Sequence, residues 1–195
     1  AQHYIFQLQL SEAHDTLEAV AAVRVLLKQD LDSFSLDLIN TGSEGGMTVS
    51  QLLVNGREAR YTHQRDKLQI VHTGKSGELI NLQISYQGVP ADGLIIGKNK
   101  FGDKTFFGDN WPNRAHHWLH YRPDARWPDV VVRFVLSTLA DLADLPHQQV
   151  APLAHRHVVI LQARQALGEF GQLVIVRGKE GLCADSVVQM LDDGP

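Results

Sequence analysis

The chain has 195 residues, 44% of them hydrophobic, which is enough to fold around one sizeable core. The net charge is −4, and Lys and Arg are scattered along the chain, which argues against a nucleic-acid-binding face. The sequence contains no run of about 18 apolar residues, so no membrane span is predicted. Its single cysteine, Cys183, excludes an intrachain disulfide.

Apolar and polar residues alternate along the first two thirds of the chain with the period of a half-buried β-strand. The segment at 17–28 is ambiguous, because its alanines favour a helix whereas Val23 and Val25 favour a strand. We predict a strand there. The full set of strands predicted in this part of the chain is 4–10, 17–28, 34–39, 48–54, 57–63, 68–72, 79–86 and 130–136.

Turn signals separate these strands. Asn55-Gly56 is the strongest of them, since both central residues of a type I′ turn need positive φ, and 57–63 is expected to return beside 48–54. The spacing of strands and turns favours a sandwich or curved sheet over βαβ units. The sequence therefore predicts an all-β fold with largely antiparallel strands.

Two segments interrupt the alternation. The stretch 93–126 is rich in Gly, Asn, Asp and aromatic residues and is predicted to be a long loop, of the kind that often carries function. The stretch 139–168 is dominated by Ala, Leu, Gln and His, with strand-like order only at 157–161. After it, 172–176 is predicted to be a last strand and 185–191 a short C-terminal helix with Asp185 as its N-cap.

Common catalytic motifs are absent from the sequence. It contains no H-E-x-x-H zinc motif, no G-x-S-x-G, no phosphate-binding loop and no C-x-x-C. Cys183 lacks a His-Asp context, which argues against a nucleophilic role. No catalytic residue is therefore assigned in this chain.

A histidine cluster, His116, His117 and His120, gives a weaker signal. In a helix, His116 and His120 would share a face and could bind a metal ion. However, Pro112 and Pro123 disfavour a helix, and no carboxylate or cysteine lies at motif spacing to complete the ligand set. We predict no metal site.

The string Asp109-Asn110-Trp111-Pro112-Asn113 has two interpretations. It presents a carboxylate, a carboxamide and an indole together, which is typical of the rim of a binding site. Alternatively, it is a tight turn whose tryptophan fills the core. On the first interpretation, Asp109, Asn110 and Trp111 are the candidate substrate-binding residues.

The longer segment at 105–119, T-F-F-G-D-N-W-P-N-R-A-H-H-W-L, resembles a signature of the zinc aminopeptidases typified by aminopeptidase N and leukotriene hydrolase. It is most similar to the string of the bacterial branch. The opening strand, the L-D-L strand, the Asn-Gly hairpin and the strand that ends in Y-x-G resemble family features in the same order. The resemblance spans about residues 4 to 137.

The resemblance implies a saddle-like β domain at 1–137, with 138–195 as a continuation or a diverged tail of that domain. In the family, this N-terminal domain packs on a thermolysin-like catalytic domain that carries the zinc and the catalytic glutamate. This chain therefore resembles a fragment without a cofactor of its own. Its expected partners are a catalytic domain, in the same or a companion chain, and peptide N-termini.

The resemblance also implies a role for the candidate residues. In many family members, a Gln or Glu of the N-terminal domain holds the free amine of the substrate. That position falls near Trp111, which has no oxygen, so Asp109 or Asn110 would replace it. The chain departs from the family at His116, at 120–124 and beyond Ser137. The departure beyond Ser137 is compatible with a diverged ending of the domain, with a truncated gene and with a shifted reading frame.

Three functions remain open on the sequence alone. The favoured one is a non-catalytic scaffold domain that shapes the substrate cleft. The alternative is a stand-alone β-sandwich that binds a peptide or a carbohydrate, and the third is a small metal enzyme built on the histidine cluster. Ala1-Gln2 is what cleavage at a small-residue site would leave, but an artificial N-terminus would look the same. The location is therefore left open, with a periplasmic or secreted one favoured.

Overall fold

The computed structural model of the protein describes residues 3–100, 102, 104–109 and 114–120, and the backbone of 129–137, 157–162, 172–178 and 181–182. In chain order, the strands are β1 (His3–Ser11), β2 (Leu17–Leu26), β3 (Leu31–Asp37), β4 (Gly46–Val54), β5 (Arg57–Glu58), β6 (Tyr61–Gln64), β7 (Lys67–Gly74), β8 (Leu79–Val89), β9 (Leu94–Lys98), β10 (Lys104–Asp109), β11 (Asp129–Ser137), β12 (His157–Gln162), β13 (Gln172–Gly178) and β14 (Gly181–Leu182). A 3₁₀ helix lies at Arg114–His117.

The described strands form three sheets. The largest has seven strands in the order β12-β11-β1-β2-β8-β4-β5, the second has the order β14-β13-β10-β9, and the third has the order β3-β7-β6. Strands β1 and β11 pair in parallel, whereas the other described strand pairs are antiparallel. The predicted all-β class with largely antiparallel strands is confirmed.

Alternating side chains explain how the sheets share one core. On β8, Ile80, Leu82, Ile84 and Tyr86 are buried, as the period-two pattern predicts. The strand predicted at 17–28 is confirmed over Leu17–Leu26, and its buried face carries Leu17, Ala19, Ala21 and Val23. Residues of the three-stranded sheet join the same hydrophobic cluster, whose members from the two sheets include Tyr4, Phe6, Leu8, Leu17, Val23, Leu36, Leu68 and Ile70.

The Asn55-Gly56 turn is confirmed, with φ of 51° and 78° at its two central residues. The predicted return strand at 57–63 is wrong beyond Glu58. Only Arg57 and Glu58 pair with β4, after which the chain leaves the large sheet and β6 pairs with β7. From Arg60 onward the backbone bonds to β7, beginning with Val71 N to Arg60 O at 2.9 Å, and a second tight turn joins β6 directly to β7.

That second turn is formed by Arg65 and Asp66, whose φ values are 53° and 61°. Positive φ is unfavourable for residues with a side chain, so the turn needs support from outside. Asn40 supplies it: its Oδ1 accepts a hydrogen bond from Asp66 N at 2.8 Å, and its own N donates to Asp66 Oδ1 at 3.2 Å. Contacts distant in sequence therefore stabilise the turn.

The prediction of one long loop at 93–126 is also wrong. The hairpin β9–β10 and the 3₁₀ helix occupy much of it, because Leu94 and Phe106 are buried in the core and anchor the hairpin. Backbone pairing links β12 and β13 to strands of the first 137 residues, although the predicted division at 137 stays a prediction.

The helix predicted at 185–191 lies outside the described residues. Within the described residues, no helix has the length and apolar character needed to cross a membrane.

Candidate functional site

The candidate site lies where β10 ends and the 3₁₀ helix begins. Asp109, the last residue of β10, donates its backbone N–H to Gly93 O at 2.7 Å. Its Oδ2 accepts a charge-assisted hydrogen bond from Arg114 Nη1 at 2.9 Å. An ion pair therefore closes the two ends of the segment 110–113.

A second carboxylate completes this arrangement. Asp92 Oδ2 lies 3.3 Å from Arg114 Nε, and Asp92 Oδ1 accepts a hydrogen bond from Gly93 N at 2.8 Å. We call Asp92, Asp109 and Arg114 the Asp–Arg clamp. It ties the turn before β9 to the end of β10 and to the start of the 3₁₀ helix.

Gly93 is required for the clamp to form. Its φ is +76°, a conformation that favours glycine, and a Cβ there would lie 2.3 Å from Arg114 O. The backbone just before β9 can therefore approach Arg114 only because Gly93 has no side chain.

The clamp carries a net charge of −1 at neutral pH, since two carboxylates share one guanidinium. The three side chains are between 32% and 42% exposed, so solvent reaches the site and screens its field. A partly exposed site with excess negative charge can attract a small cation such as an ammonium group.

The structure describes one of the three candidate residues predicted from the sequence. Asp109 is at the site, with its carboxylate already paired to Arg114, whereas Asn110 and Trp111 lie outside the described residues. Sequence reasoning missed Asp92 and Arg114. Asp92 belongs to no motif. Arg114 lies within the string at 105–119, but an acidic and a basic residue five positions apart have no periodic signature that would predict their pairing.

The histidines of the H-H-x-x-H string lie in different surroundings. The rings of His116 and His117 are 4.6 Å apart and half-buried. Desolvation, and then the neighbouring His116, lower the pKa of His117, against the weaker opposing effects of Asp92 and Asp66. Among the residues that the structure describes, no three side chains of metal-binding type come together, so this part of the chain offers no ligand set for zinc.

His120 is buried among aromatic rings. Its centroid lies 6.1 Å from that of Tyr4, 5.0 Å from that of Phe6 and 5.8 Å from that of Tyr86. Neither ring nitrogen has a hydrogen-bond partner in the described part of the chain, and burial lowers the pKa of His120 to about 3. His120 is therefore neutral in the folded protein at ordinary pH.

Next to His120, Tyr86 Oη donates a buried hydrogen bond to Trp118 O at 3.0 Å. Burial also raises the pKa of Tyr86. This bond and the aromatic contacts fix residues 118–120 against β1 and β8, which in turn anchors the 3₁₀ helix of the site.

Comparison with known proteins gives matches at the level of structure. No family model matches the sequence, and no curated protein matches it. The M1 zinc metallopeptidase from Deinococcus radiodurans superposes with a TM-score of 0.54 and 23% identity, over 69% of this chain and 32% of that one. The chain has the fold of the N-terminal domain of an M1-family aminopeptidase.

Two further structures support the shared fold. Native yeast leukotriene A4 hydrolase matches with a TM-score of 0.56 and 13% identity, over 83% of this chain and 26% of that one. A mutant of the Deinococcus enzyme bound to a Tyr-Ser-Ala substrate matches with a TM-score of 0.54 and 20% identity, over 69% of this chain and 32% of that one. The chain thus spans about a third or less of the enzymes that it resembles.

Proposed function

We propose that this chain acts as the non-catalytic N-terminal domain of a zinc aminopeptidase, where it shapes one wall of the substrate cleft and packs on a catalytic domain. The observation that carries the proposal is a shared fold: 69% of this chain superposes on 32% of a zinc metallopeptidase. The absence of an H-E-x-x-H string from the sequence supports a division of labour in which the zinc chemistry belongs to the other domain.

The second part of the proposal is that the Asp–Arg clamp helps to recognise the free amine of a peptide. A peptide N-terminus carries one positive charge, which would neutralise the net −1 of the clamp. Hydrogen bonds to Arg114 and Gly93 already hold the two carboxylates in place. Little side-chain entropy would therefore be lost on binding, as in other preorganised sites.

Arg114 makes the clamp selective as well as rigid. It neutralises one of the two carboxylates, so a singly charged ammonium is the complement, whereas a divalent cation would leave excess charge. In this proposal, Arg114 positions Asp92 and Asp109, and Asp109 contacts the substrate.

The experiment is a titration of the purified chain with Tyr-Ser-Ala, observed by two-dimensional ¹H–¹⁵N NMR, with N-acetylated Tyr-Ser-Ala as the matched neutral ligand. We expect the free peptide to bind with a Kd of about 1 to 10 mM, because exposed charges bind weakly. Acetylation and Asp109→Asn should each weaken binding by about fivefold or more. Glu18→Gln, which removes an exposed carboxylate from β2, should have no effect.

The outcomes separate amine recognition at the clamp from other ways of binding a peptide. Equal binding of the free and acetylated peptides would refute amine recognition and favour a general peptide-binding module. Loss of binding with Glu18→Gln as well would show that net charge alone attracts the peptide. If neither peptide perturbs the resonances of Gly93, Asp109 and Arg114, the clamp has no part in recognition.

A further inference from the structure

A concave feature that includes none of the clamp residues lies beside the Asn55-Gly56 turn. It is a cavity of about 590 Å³, which is within the usual range of small-ligand sites. The described residues that line it come from β4, β5, the segment after β5, and β7. They are Val54, Asn55, Arg57, Glu58, Ala59, Arg60, Val71 and His72.

Two arginines dominate the charge of this cavity. Arg57 and Arg60 are exposed, and within the described part of the chain no carboxylate lies at ion-pair distance from either. Other cations of the described chain, including Lys67, Lys75 and Arg114, do have such partners. The guanidinium groups of Arg57 and Arg60 thus remain available to an oxyanion, which they can bind through paired N–H donors.

Backbone hydrogen bonds fix the segment that carries these arginines. Ala59 N donates to Leu52 O at 3.0 Å, and Val71 N donates to Arg60 O at 2.9 Å. The bonds tie the segment to β4 on one side and to β7 on the other. The two guanidiniums therefore extend from anchored positions, although their side chains reach solvent.

A neutral donor lies beside the arginines. Asn55 Oδ1 accepts a hydrogen bond from Asn81 N at 2.9 Å, which orients the side-chain amide. The amide nitrogen of Asn55 can then donate to a ligand oxygen. His72 also lines the cavity, and its Nε2 lies 3.5 Å from Glu78 Oε1.

The charge and the apolar lining together indicate the chemical class of ligand. Glu58 also lines the cavity, so with Arg57 and Arg60 the net charge is +1, which matches a singly charged anion better than a doubly charged one. Val71 is 54% exposed and lines the cavity together with Ala59 and Val54, which adds apolar groups to a lining that also holds the two cations.

We propose that this cavity binds a carboxylate joined to an apolar group. The carboxylate lies between Arg57 and Arg60, and the apolar group covers Val71. A peptide C-terminus and a free aliphatic acid share this chemistry. The site is independent of the proposed aminopeptidase role, since its residues take no part in the Asp–Arg clamp.

The test is an NMR titration of the purified chain with N-acetyl-leucine, which mimics a peptide C-terminus, and with hexanoate, a free aliphatic acid. N-acetyl-leucinamide is the matched neutral ligand, acetate lacks the apolar group, and inorganic phosphate is the competing anion. We expect saturable shifts at residues 55–60 and 71–72 with a Kd of about 1 to 10 mM. The amide and acetate should bind at least about tenfold more weakly than the better acid.

Substitutions test the roles of the arginines. Arg57→Ala with Arg60→Ala should weaken binding about tenfold or more, and the corresponding double lysine variant should lie between it and the wild type. Arg24→Ala removes an exposed cation from β2 and should leave binding unchanged. Equal binding of N-acetyl-leucine and its amide, tighter binding of phosphate than of either acid, or equal losses in Arg24→Ala and the double alanine variant would overturn the proposal.

Discussion

Replacing His120 with leucine should remove much of the acid sensitivity of the protein. Its pKa is about 3 in the fold and 6.5 in the unfolded chain, so the unfolded chain binds the proton more tightly. The contribution of His120 to the free energy of unfolding is therefore most favourable above pH 6.5 and falls as the pH drops toward 3. The rings around His120 carry phenyl and phenol groups, none of which offers a negative charge to a protonated imidazole.

The size of the effect follows from the difference between the two pKa values. Each pH unit below 6.5 removes about 1.4 kcal/mol from the free energy of unfolding, which amounts to about 2 kcal/mol at pH 5. Leucine has a similar volume and no titratable group. The variant should therefore lose about 2 kcal/mol less than the wild type between pH 7.5 and pH 5.

The assay is urea unfolding of both proteins at pH 7.5, 6 and 5, followed by tryptophan fluorescence. Carboxylates titrate in both proteins, so their contribution cancels in the comparison. His14→Ala, at an exposed position, is the matched control and should keep the pH dependence of the wild type. If His120→Leu and the wild type lose the same stability between pH 7.5 and 5, the assignment of the acid sensitivity to buried His120 is wrong.

Three further substitutions test the packing around the site, each by the urea midpoint. Gly93→Ala should destabilise the protein by about 2 kcal/mol or more, because φ is +76° and the new Cβ would meet a backbone oxygen. Gly97→Ala, where the new Cβ meets no other atom, should change stability by less than about 0.5 kcal/mol, and equal effects of the two substitutions would contradict this reasoning. Tyr86→Phe removes the buried hydrogen bond from Tyr86 Oη to Trp118 O and should cost about 1 to 2 kcal/mol, so an unchanged midpoint would contradict a contribution of this bond to stability. Arg114→Met should cost about 1 kcal/mol, since the ion pairs are partly exposed, and a larger loss than for Gly93→Ala would contradict that ranking.

Side-chain alternation predicted most of the first 90 residues of the fold. The pattern of β8, with Ile80 and Tyr86 on one face, is a direct consequence of strand geometry and burial. The Asn55-Gly56 turn was predictable for the same kind of local reason, because Asn and Gly are the residue types that favour positive φ.

Long-range contacts account for the misses. The Arg65-Asp66 turn depends on hydrogen bonds to Asn40, a residue distant in sequence, so no local signal indicates it. The hairpin in the predicted long loop forms because Leu94 and Phe106 are buried in the common core. The many Gly and Asn residues around them favour a loop when the sequence is read locally.

The candidate site was predictable only in part. The resemblance pointed to Asp109, and the structure adds that Arg114 pairs with it and that Asp92 shares the same guanidinium. The approach of Asp92 to Arg114 depends on the path of the backbone around Gly93, which sequence spacing does not reveal. The roles of Asn110 and Trp111, the bacterial branch and the periplasmic or secreted location stay predictions.

The most direct test of the proposed scaffold role is hydrolysis of a panel of aminoacyl fluorogenic substrates by the purified chain, with added zinc and with a chelator. A chain that resembles about a third of a zinc metallopeptidase, and has no H-E-x-x-H string, should show no turnover above the blank in either condition. Zinc-dependent, chelator-sensitive turnover would contradict the account and place a catalytic centre within this chain.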